Sequence, residues 1–469
     1  MGKEHIAQQF RPVTSNPTLD LRGSMDMQPL QTFLVKASEL SVAYMSDRKT
    51  EEAAKNLRAT VETVKRNAKS AAGATEPFGA LVVDFLDRGL WRAAAELGTI
   101  LIEAQAELLG QEDPLTLTAK GNLVSAYCGL GRWQEAIDLG DKTTTARKRV
   151  LGIEHPQTLT SMSNLASAYR GSGRWRDAEL LQLELVRTKT RIYGRKHPST
   201  LSSIGNLAAT YDSMGRYNEA QSLEEELVEQ GRIALGETHG STLTWKSNLA
   251  STYREQGRLN DAEKLESEVL EKRKSHLGDN HPLTLTSMTN LATIYREQDR
   301  FEQAAKLEEM VLDRFRSVLG EKHPNTLMTT SNLASTYWSQ GRLDDAASLE
   351  TRAASAMIAV LGETHPVTLT SQARLAMIYH SQGRYDEAET LTLQVLQTMQ
   401  GSFGEKHPHT ITVMANLGFI YQSQGKWDDA ERVLEVVAHR RKEILGESHP
   451  ETVASTENLS GIHRMRAIE

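Results

Sequence analysis

Apolar and polar positions follow a helical period along this chain, and that short period is interrupted and restarted at regular intervals. In residues 322–361, Pro324 opens a first helical stretch, Gly341 interrupts it, and a second stretch runs to Gly362. The apolar positions of the two stretches are Leu327, Leu333, Ala334 and Tyr337, then Leu343, Ala346, Leu349 and Ala353. Proline at a helix start and glycine just past a helix end are the expected boundary residues. The pattern predicts two antiparallel helices joined by a short turn.

The whole pattern returns every 42 residues. The glycine of a Leu-Gly-x-x-His-Pro-x-Thr-Leu motif marks the copies, at Gly110, Gly152, Gly194, Gly236, Gly278, Gly320, Gly362, Gly404 and Gly446. Uninterrupted spacing of this kind is typical of a solenoid, in which each unit buries its apolar face by stacking on its neighbours. The period extends backwards in weaker form, because Trp91 and Ala94 stand one step before Trp133 and Ala136.

This period predicts an all-α solenoid of about ten helix pairs followed by one last helix. We expect a flexible arm over residues 1–25, two degenerate helix pairs over 26–109, eight full repeats over 110–447, and a capping helix over 448–469. Degenerate end units are usual in solenoids, since one of their faces meets solvent instead of another repeat.

Composition excludes several classes of function. A net charge of −7 and the absence of any run of 18 apolar residues give no reason to expect binding to nucleic acid or to a membrane. The N-terminus lacks the apolar segment of a signal peptide, and the single cysteine, Cys128, cannot form an internal disulfide, so we expect a cytoplasmic protein. No phosphate-binding loop, nucleophile elbow or paired Cys-x-x-Cys occurs, and we expect neither an enzyme nor a cofactor.

The order Asn-Leu-Ala-x-x-Tyr, Gly-Arg, then Asp/Glu-Ala resembles the tetratricopeptide repeat, in the 42-residue form of kinesin light chains and fungal NLR-like proteins. The resemblance covers about residues 68–469. It implies a right-handed superhelix whose concave face is lined by the first helix of every pair.

Histidine recurs once per repeat, directly before the helix-starting position. The column comprises His155, His197, His239, His281, His323, His365, His407 and His449. Stacked helices lie about 8–10 Å apart, whereas zinc needs its ligands within about 2.3 Å, so we expect no metal site in this column. We expect the imidazole to bond a free backbone N–H at the helix start instead.

An asparagine column precedes the core leucine of the first helices, and it is the candidate ligand site. The amide can pair with the backbone of an extended peptide, and the resemblance implies that role; bonding to the neighbouring helix is the alternative. The candidate peptide-binding residues are Asn164, Asn206, Asn248, Asn290, Asn332, the arginines Arg170, Arg254 and Arg296 one turn later, and Arg374, which interrupts the asparagine column. The arginines could meet an acidic peptide or form a solvated face.

Glutamate forms a further column on the second helices, at Glu224, Glu266, Glu308 and Glu350. One carboxylate per repeat cannot act jointly on a substrate, so we expect these glutamates to be ion-paired or exposed to solvent.

These observations favour a scaffold or adaptor that binds an extended peptide or a helix of a partner protein in the concave groove. Two alternatives stay open. One is a stand-alone sensor or partner module of an NLR-like signalling system, and the other is a kinesin light chain-like cargo adaptor. The only heptad candidate for a motor-binding coiled coil, Leu57 to Ala68, is barely two heptads long. The sequence does not identify the partner, the pathway or the oligomeric state.

Overall fold

The computed structural model describes residues 71–447 and 449–466. The predicted arm over 1–25, the first degenerate helix pair and the heptad segment before Ala68 lie outside this range. All regular structure in the described ranges is α-helical: nineteen helices that form nine pairs and one last helix. The predicted all-α architecture of helix pairs is therefore confirmed.

The chain divides into two compact units, Met1–Arg195 and Lys196–Glu469. In the first unit, every helix packs against the next along the chain. Its helices are α1 (Ala71–Asp87), α2 (Trp91–Leu108), α3 (Pro114–Gly129), α4 (Trp133–Leu151), α5 (Pro156–Gly171) and α6 (Trp175–Tyr193).

In the second unit the same pairwise packing continues to the last helix. Its helices are α7 (Pro198–Ser213), α8 (Tyr217–Ala234), α9 (Gly240–Glu255), α10 (Leu259–Leu277), α11 (Pro282–Glu297), α12 (Phe301–Leu319), α13 (Pro324–Ser339), α14 (Leu343–Leu361), α15 (Pro366–Ser381), α16 (Tyr385–Phe403), α17 (Pro408–Ser423), α18 (Trp427–Leu445) and α19 (Pro450–Arg466). The odd-numbered helices are the first helices of their pairs. Within each unit several first helices also contact the next first helix, for example α9 with α11 and α11 with α13.

The histidine column starts the first helices, as predicted. In every one of the eight copies, histidine Nδ1 accepts a hydrogen bond from the backbone N–H two residues later, at 3.1–3.2 Å. Asp113 supplies the equivalent bond to Leu115 at the start of α3. Each imidazole thus satisfies one of the four backbone N–H groups that a helix start leaves without an internal partner.

The turn inside each pair requires one residue with left-handed backbone geometry. Glycine takes that position in eight of the nine described pairs, with φ between 69° and 77°, and Asp299 takes it in the ninth with φ 60°. In seven pairs an arginine follows the turn residue directly. Its guanidinium lies over the ring of a tyrosine in the last turn of the first helix, 3.7–4.6 Å from the ring centroid. This stacking explains the Gly-Arg dipeptide of the repeat.

Small residues bring the two helices of a pair close together. Ala136, Ala262 and Ala346 are 0 % exposed, as are their equivalents in the other repeats. The tryptophan that follows the turn packs directly on a glycine of the next repeat in two places. A Cβ atom added at Gly129 would lie 2.5 Å from the Trp91 ring, and one added at Gly171 would lie 2.6 Å from the Trp133 ring. Such approaches leave no room for a larger side chain. No helix within the described ranges has the length and apolar character needed to cross a membrane.

Candidate peptide-binding face

The asparagine column lies on the first helices, and its members differ in exposure. Asn164 on α5 is buried, with 3 % of its surface exposed. Asn206, Asn248, Asn290 and Asn332 are half-buried. In the second unit, three of these amides occupy the same place on α9, α11 and α13, which contact one another in turn. We call the surface formed by these helices and α15 the first-helix face.

Two asparagines bond the preceding first helix. Asn164 Nδ2 donates to Ser125 Oγ at 3.0 Å, and Asn290 Nδ2 donates to Ser247 Oγ at 3.1 Å. Interhelical bonding, one of the two predicted roles, is thus present at both positions. Asn290 differs from Asn164 because it is only half-buried, so part of the residue is exposed to solvent.

The arginine column of the second unit is held by acidic residues. The Arg254 guanidinium bonds Glu255 beside it and Glu297 on the next first helix, and 12 % of its side chain is exposed. Arg296 Nη1 lies 3.5 Å from Glu308 Oε1 and donates to Thr336 Oγ1 at 3.4 Å. These two cations are therefore mostly buried and held by acidic and hydroxyl groups, with 21 % of the Arg296 side chain exposed. Arg170 is half-buried on α5, in the other unit.

Arg374 occupies an asparagine position and bridges two repeats. It donates to Ser331 on α13, with Nη1 3.3 Å from the backbone oxygen and a further bond to the hydroxyl, and lies 3.6 Å from Glu350 Oε1. One quarter of its side chain, 25 %, is exposed. Part of the Arg374 side chain therefore stays accessible on the first-helix face.

The glutamate column is buried, which corrects the expectation of solvent exposure. Glu224, Glu266, Glu308 and Glu350 are 0–1 % exposed. The alternative expectation, ion pairing, is confirmed at Glu308 with Arg296 and at Glu350 with Arg374. Hydroxyl groups hold the carboxylates as well: Ser247 donates to Glu266 at 2.8 Å, and Ser331 and Ser371 both donate to Glu350 at 2.6 Å.

Burial changes the protonation of these carboxyl groups. It raises the pKa of Glu308 to about 7 and raises the pKa of Glu350. Burial, with the charge of Asp212 as the second cause, raises the pKa of Glu224 well above its usual range. Removing a carboxylate from water penalises its charged form, and the nearby arginines only partly offset this cost.

The sequence did not predict that the glutamate column is buried, because a glutamate beside a core leucine resembles a surface residue. The signal that could have indicated burial is the matching spacing of the arginine column and the glutamate column. Arg296 stands twelve residues before Glu308, so both fall where a first and a second helix of one pair meet. Ser331 adds a third member from the same pair as Glu350.

One group of potential metal ligands lies near the C-terminus, where we expected none. One ligand atom each from Glu431, Glu435 and His463 lies within 4.8 Å of the others, on α18 and α19. His463 Nε2 is 2.9 Å from Glu431 Oε1, and Glu435 and His463 are exposed. The lone Cys128 is buried, and burial raises the pKa of its thiol, so it is an inert core residue.

Comparison with known families agrees with this architecture. Models described as tetratricopeptide repeat match residues 115–190, 241–317, 306–359 and 367–438, and a second model of the same description matches 200–240. Together these matches span more than half of the chain. No curated protein matches the sequence.

Several solved structures are similar over part of the chain. One contains nearly identical TPR-like repeats of a Podosopora anserina protein assigned as a kinesin light chain; it is 30 % identical, with 44 % of this chain and 98 % of that chain covered and a TM-score of 0.38. Another is BtubC (BKLC) from P. vanneervenii, 21 % identical over 49 % of this chain and 92 % of that one, with a TM-score of 0.41.

Proposed function

Because the chain belongs to the tetratricopeptide repeat family, whose fold generally serves protein–protein interaction, we propose that it is a scaffold that binds an extended peptide of a partner protein. The proposed site is the first-helix face of the second unit. Its central residues are Asn248, Asn290 and Asn332, with Arg374 at one end. Asn206 lies beyond the other end, on the preceding first helix α7. Asn164 and Arg170 lie in the other unit, and the proposal does not depend on them.

The observation that carries this proposal is the repetition of a half-buried amide on successive, contacting first helices. An amide offers both donors and an acceptor, which are the groups that an extended backbone needs. The interhelical bond from Asn290 to Ser247 holds the central amide in place before a ligand arrives. Preorganisation of this kind lowers the entropic cost of binding.

The charged groups of the face favour a ligand with a limited number of acidic side chains. Arg254 is paired with Glu297 and has 12 % of its side chain exposed. Arg296 and Arg374 are 21 % and 25 % exposed, and the carboxylate beside each of them, Glu308 or Glu350, is buried. Ligand carboxylates at Arg296 and Arg374, beside backbone contacts to the asparagines, are the arrangement that fits these charges.

The test compares partner capture by the native chain with capture by a variant that lacks three face amides. In N248A/N290A/N332A, we expect the bound partner to fall at least about tenfold, because each lost amide removes hydrogen bonds to the ligand backbone. Proteins retained from cell extract would be quantified by mass spectrometry. Circular dichroism must show equal helicity in both chains.

A matched control removes three amides of the same array that lie at the turns. Gln256, Gln298 and Gln382 donate to polar side chains of the preceding pair, for example Gln256 to Gln221 at 2.9 Å and Gln382 to Asp344 at 2.8 Å. The variant Q256A/Q298A/Q382A should retain its partners. Equal retention by all three proteins would reject the face as the binding site.

A further inference from the structure

Leu180 is an apolar residue at a position that is polar in every other repeat. Its side chain on α6 is 68 % exposed, the most exposed large apolar side chain within the described ranges. The equivalent residues are Glu96, Asp138, Ser222, Lys264, Lys306, Ser348, Thr390 and Arg432. Packing within the repeat cannot require leucine here, since eight polar residues serve the same position. An exposed apolar side chain of this kind is often part of an interaction site.

A cleft lies directly beside Leu180, between the second helices α4 and α6 in the first unit. It has a volume of about 320 Å³, and Leu165, Leu180 and Leu181 form its apolar part. Leu165 is 3 % exposed, so the floor of the cleft belongs to the packed core. This volume is at the lower end of the roughly 300–1,000 Å³ typical of ligand clefts, which suits one or two side chains.

The rim of the cleft is acidic. Asp141, Asp177 and Glu184 line it, whereas Lys148 is its only cationic lining residue. Lys148 Nζ is already 3.1 Å from Glu184 Oε1, and Asp177 Oδ2 is 2.7 Å from Arg174 Nε.

Asp141 is the acidic group left for a partner. Its carboxylate accepts a hydrogen bond from the Tyr169 hydroxyl at 3.0 Å and forms no ion pair in the described part of the chain. The carboxylate is exposed and stands across the cleft from Leu180. An unopposed anion beside an apolar surface is complementary to a cation that neighbours an apolar group.

We propose that this cleft is a second docking site, which takes a segment of a partner protein carrying an apolar side chain next to a lysine or arginine. The apolar side chain occupies the cleft against Leu180 and Leu181, and the cation pairs with Asp141. This site lies on second helices of the first unit. It is therefore separate from the first-helix face of the second unit, and neither proposal requires the other.

The test uses three labelled synthetic peptides of equal length on the full chain. The first carries leucine flanked by lysines, the second leucine flanked by glutamates, and the third serine flanked by lysines. Fluorescence anisotropy should show that the first binds at least about tenfold more tightly than either of the others, and that added salt weakens it.

Two substitutions locate the binding, and a third serves as the control. Leu180→Ser introduces the residue that the next repeat carries as Ser222, and Asp141→Asn removes the negative charge. Each substitution should weaken binding of the first peptide by about tenfold or more. Leu393→Ser removes another leucine from a second helix, 42 % exposed on α16, and should leave binding unchanged. Circular dichroism should be identical for all variants, since every changed side chain is exposed.

Three results would overturn the proposal. The first is equal affinity of the native chain and the Leu180→Ser variant for the leucine–lysine peptide. The second is equal binding of the leucine–glutamate peptide. The third is light scattering that shows self-association of the native chain, abolished by Leu180→Ser, without peptide binding; the occupant would then be a second copy of this chain.

Discussion

Asp299 stands in the left-handed turn where glycine stands in the other described pairs. A side chain in that region costs about 1–2 kcal/mol, although aspartate tolerates it better than most residues. Asp299→Gly should therefore raise the local free energy of unfolding by about 1 kcal/mol. Hydrogen exchange of α11 and α12 measures this change.

The reciprocal substitution supplies the control. Gly257 has φ 75° in the equivalent turn, and no atom lies within 4 Å of its Cβ position. Gly257→Asp should destabilise its own pair by a similar amount, because the strain is conformational and not steric. Stabilisation by both substitutions would contradict this explanation.

The buried Glu308 makes the stability of the folded chain depend on pH. Its pKa rises to about 7 on folding, from an ordinary value of 4.5, so the folded chain binds the proton more tightly than the unfolded chain. The stabilising contribution of this proton is complete below about pH 4.5 and disappears as the pH rises through about 7. In Glu308→Gln this contribution should vanish, while those of Glu224 and Glu350 remain.

Urea unfolding at pH 5 and pH 8 tests this sign. Between pH 5 and pH 8, the free energy of unfolding of the native chain should fall by about 2 kcal/mol more than that of Glu308→Gln, an order-of-magnitude figure from the shift in pKa. Glu302→Gln, an exposed carboxylate on the same helix, should retain the native dependence. A native chain that gains stability relative to Glu308→Gln at higher pH would refute the assignment.

At the scale of the element, the alanine column sets the distance between the helices of a pair. Ala262 is 0 % exposed where α10 packs in its repeat. Ala262→Leu should cost about 1–3 kcal/mol through overpacking and should loosen the middle of the array while both ends stay helical. Hydrogen exchange should show lost protection in α9 to α11; uniform protection throughout would contradict this view of the repeat.

The helices could be predicted from the sequence because their boundaries are local. Pro324 and His323 start α13 through a bond that spans two residues, and Gly341 turns the chain within its own pair. The partners of Glu350 could not be predicted in this way. Ser371 and Arg374 belong to the next pair, and only folding places them beside this carboxylate.

The asparagine column shows the same limit at the candidate site. Its place on the first helices could be predicted from the period, but the burial of Asn164 beside Ser125 could not, because equal repeat positions do not guarantee equal neighbours. Leu180 carried a signal that was available in the sequence. It is the one apolar member of its column, and comparison of repeats with one another identifies it.

At the scale of the whole molecule, the repeats provide two chemically different surfaces on different sets of helices. The first-helix face offers amides and partly exposed arginines, and the cleft at Leu180 offers apolar contact with an acidic rim. With both proposed sites occupied, the chain would hold two segments of one partner or one segment from each of two partners. Linking two such contacts raises affinity through effective concentration without any new bond.

The constant length of the repeat also has a consequence for how such a protein can evolve. Each copy ends at an equivalent glycine and restarts with an equivalent histidine cap, so recombination between two copies in the gene joins compatible ends. Loss or duplication of a whole copy then changes the number of asparagines in the column while each junction keeps its bonds. Selection can lengthen or shorten the proposed binding surface in single steps, without inventing a new fold.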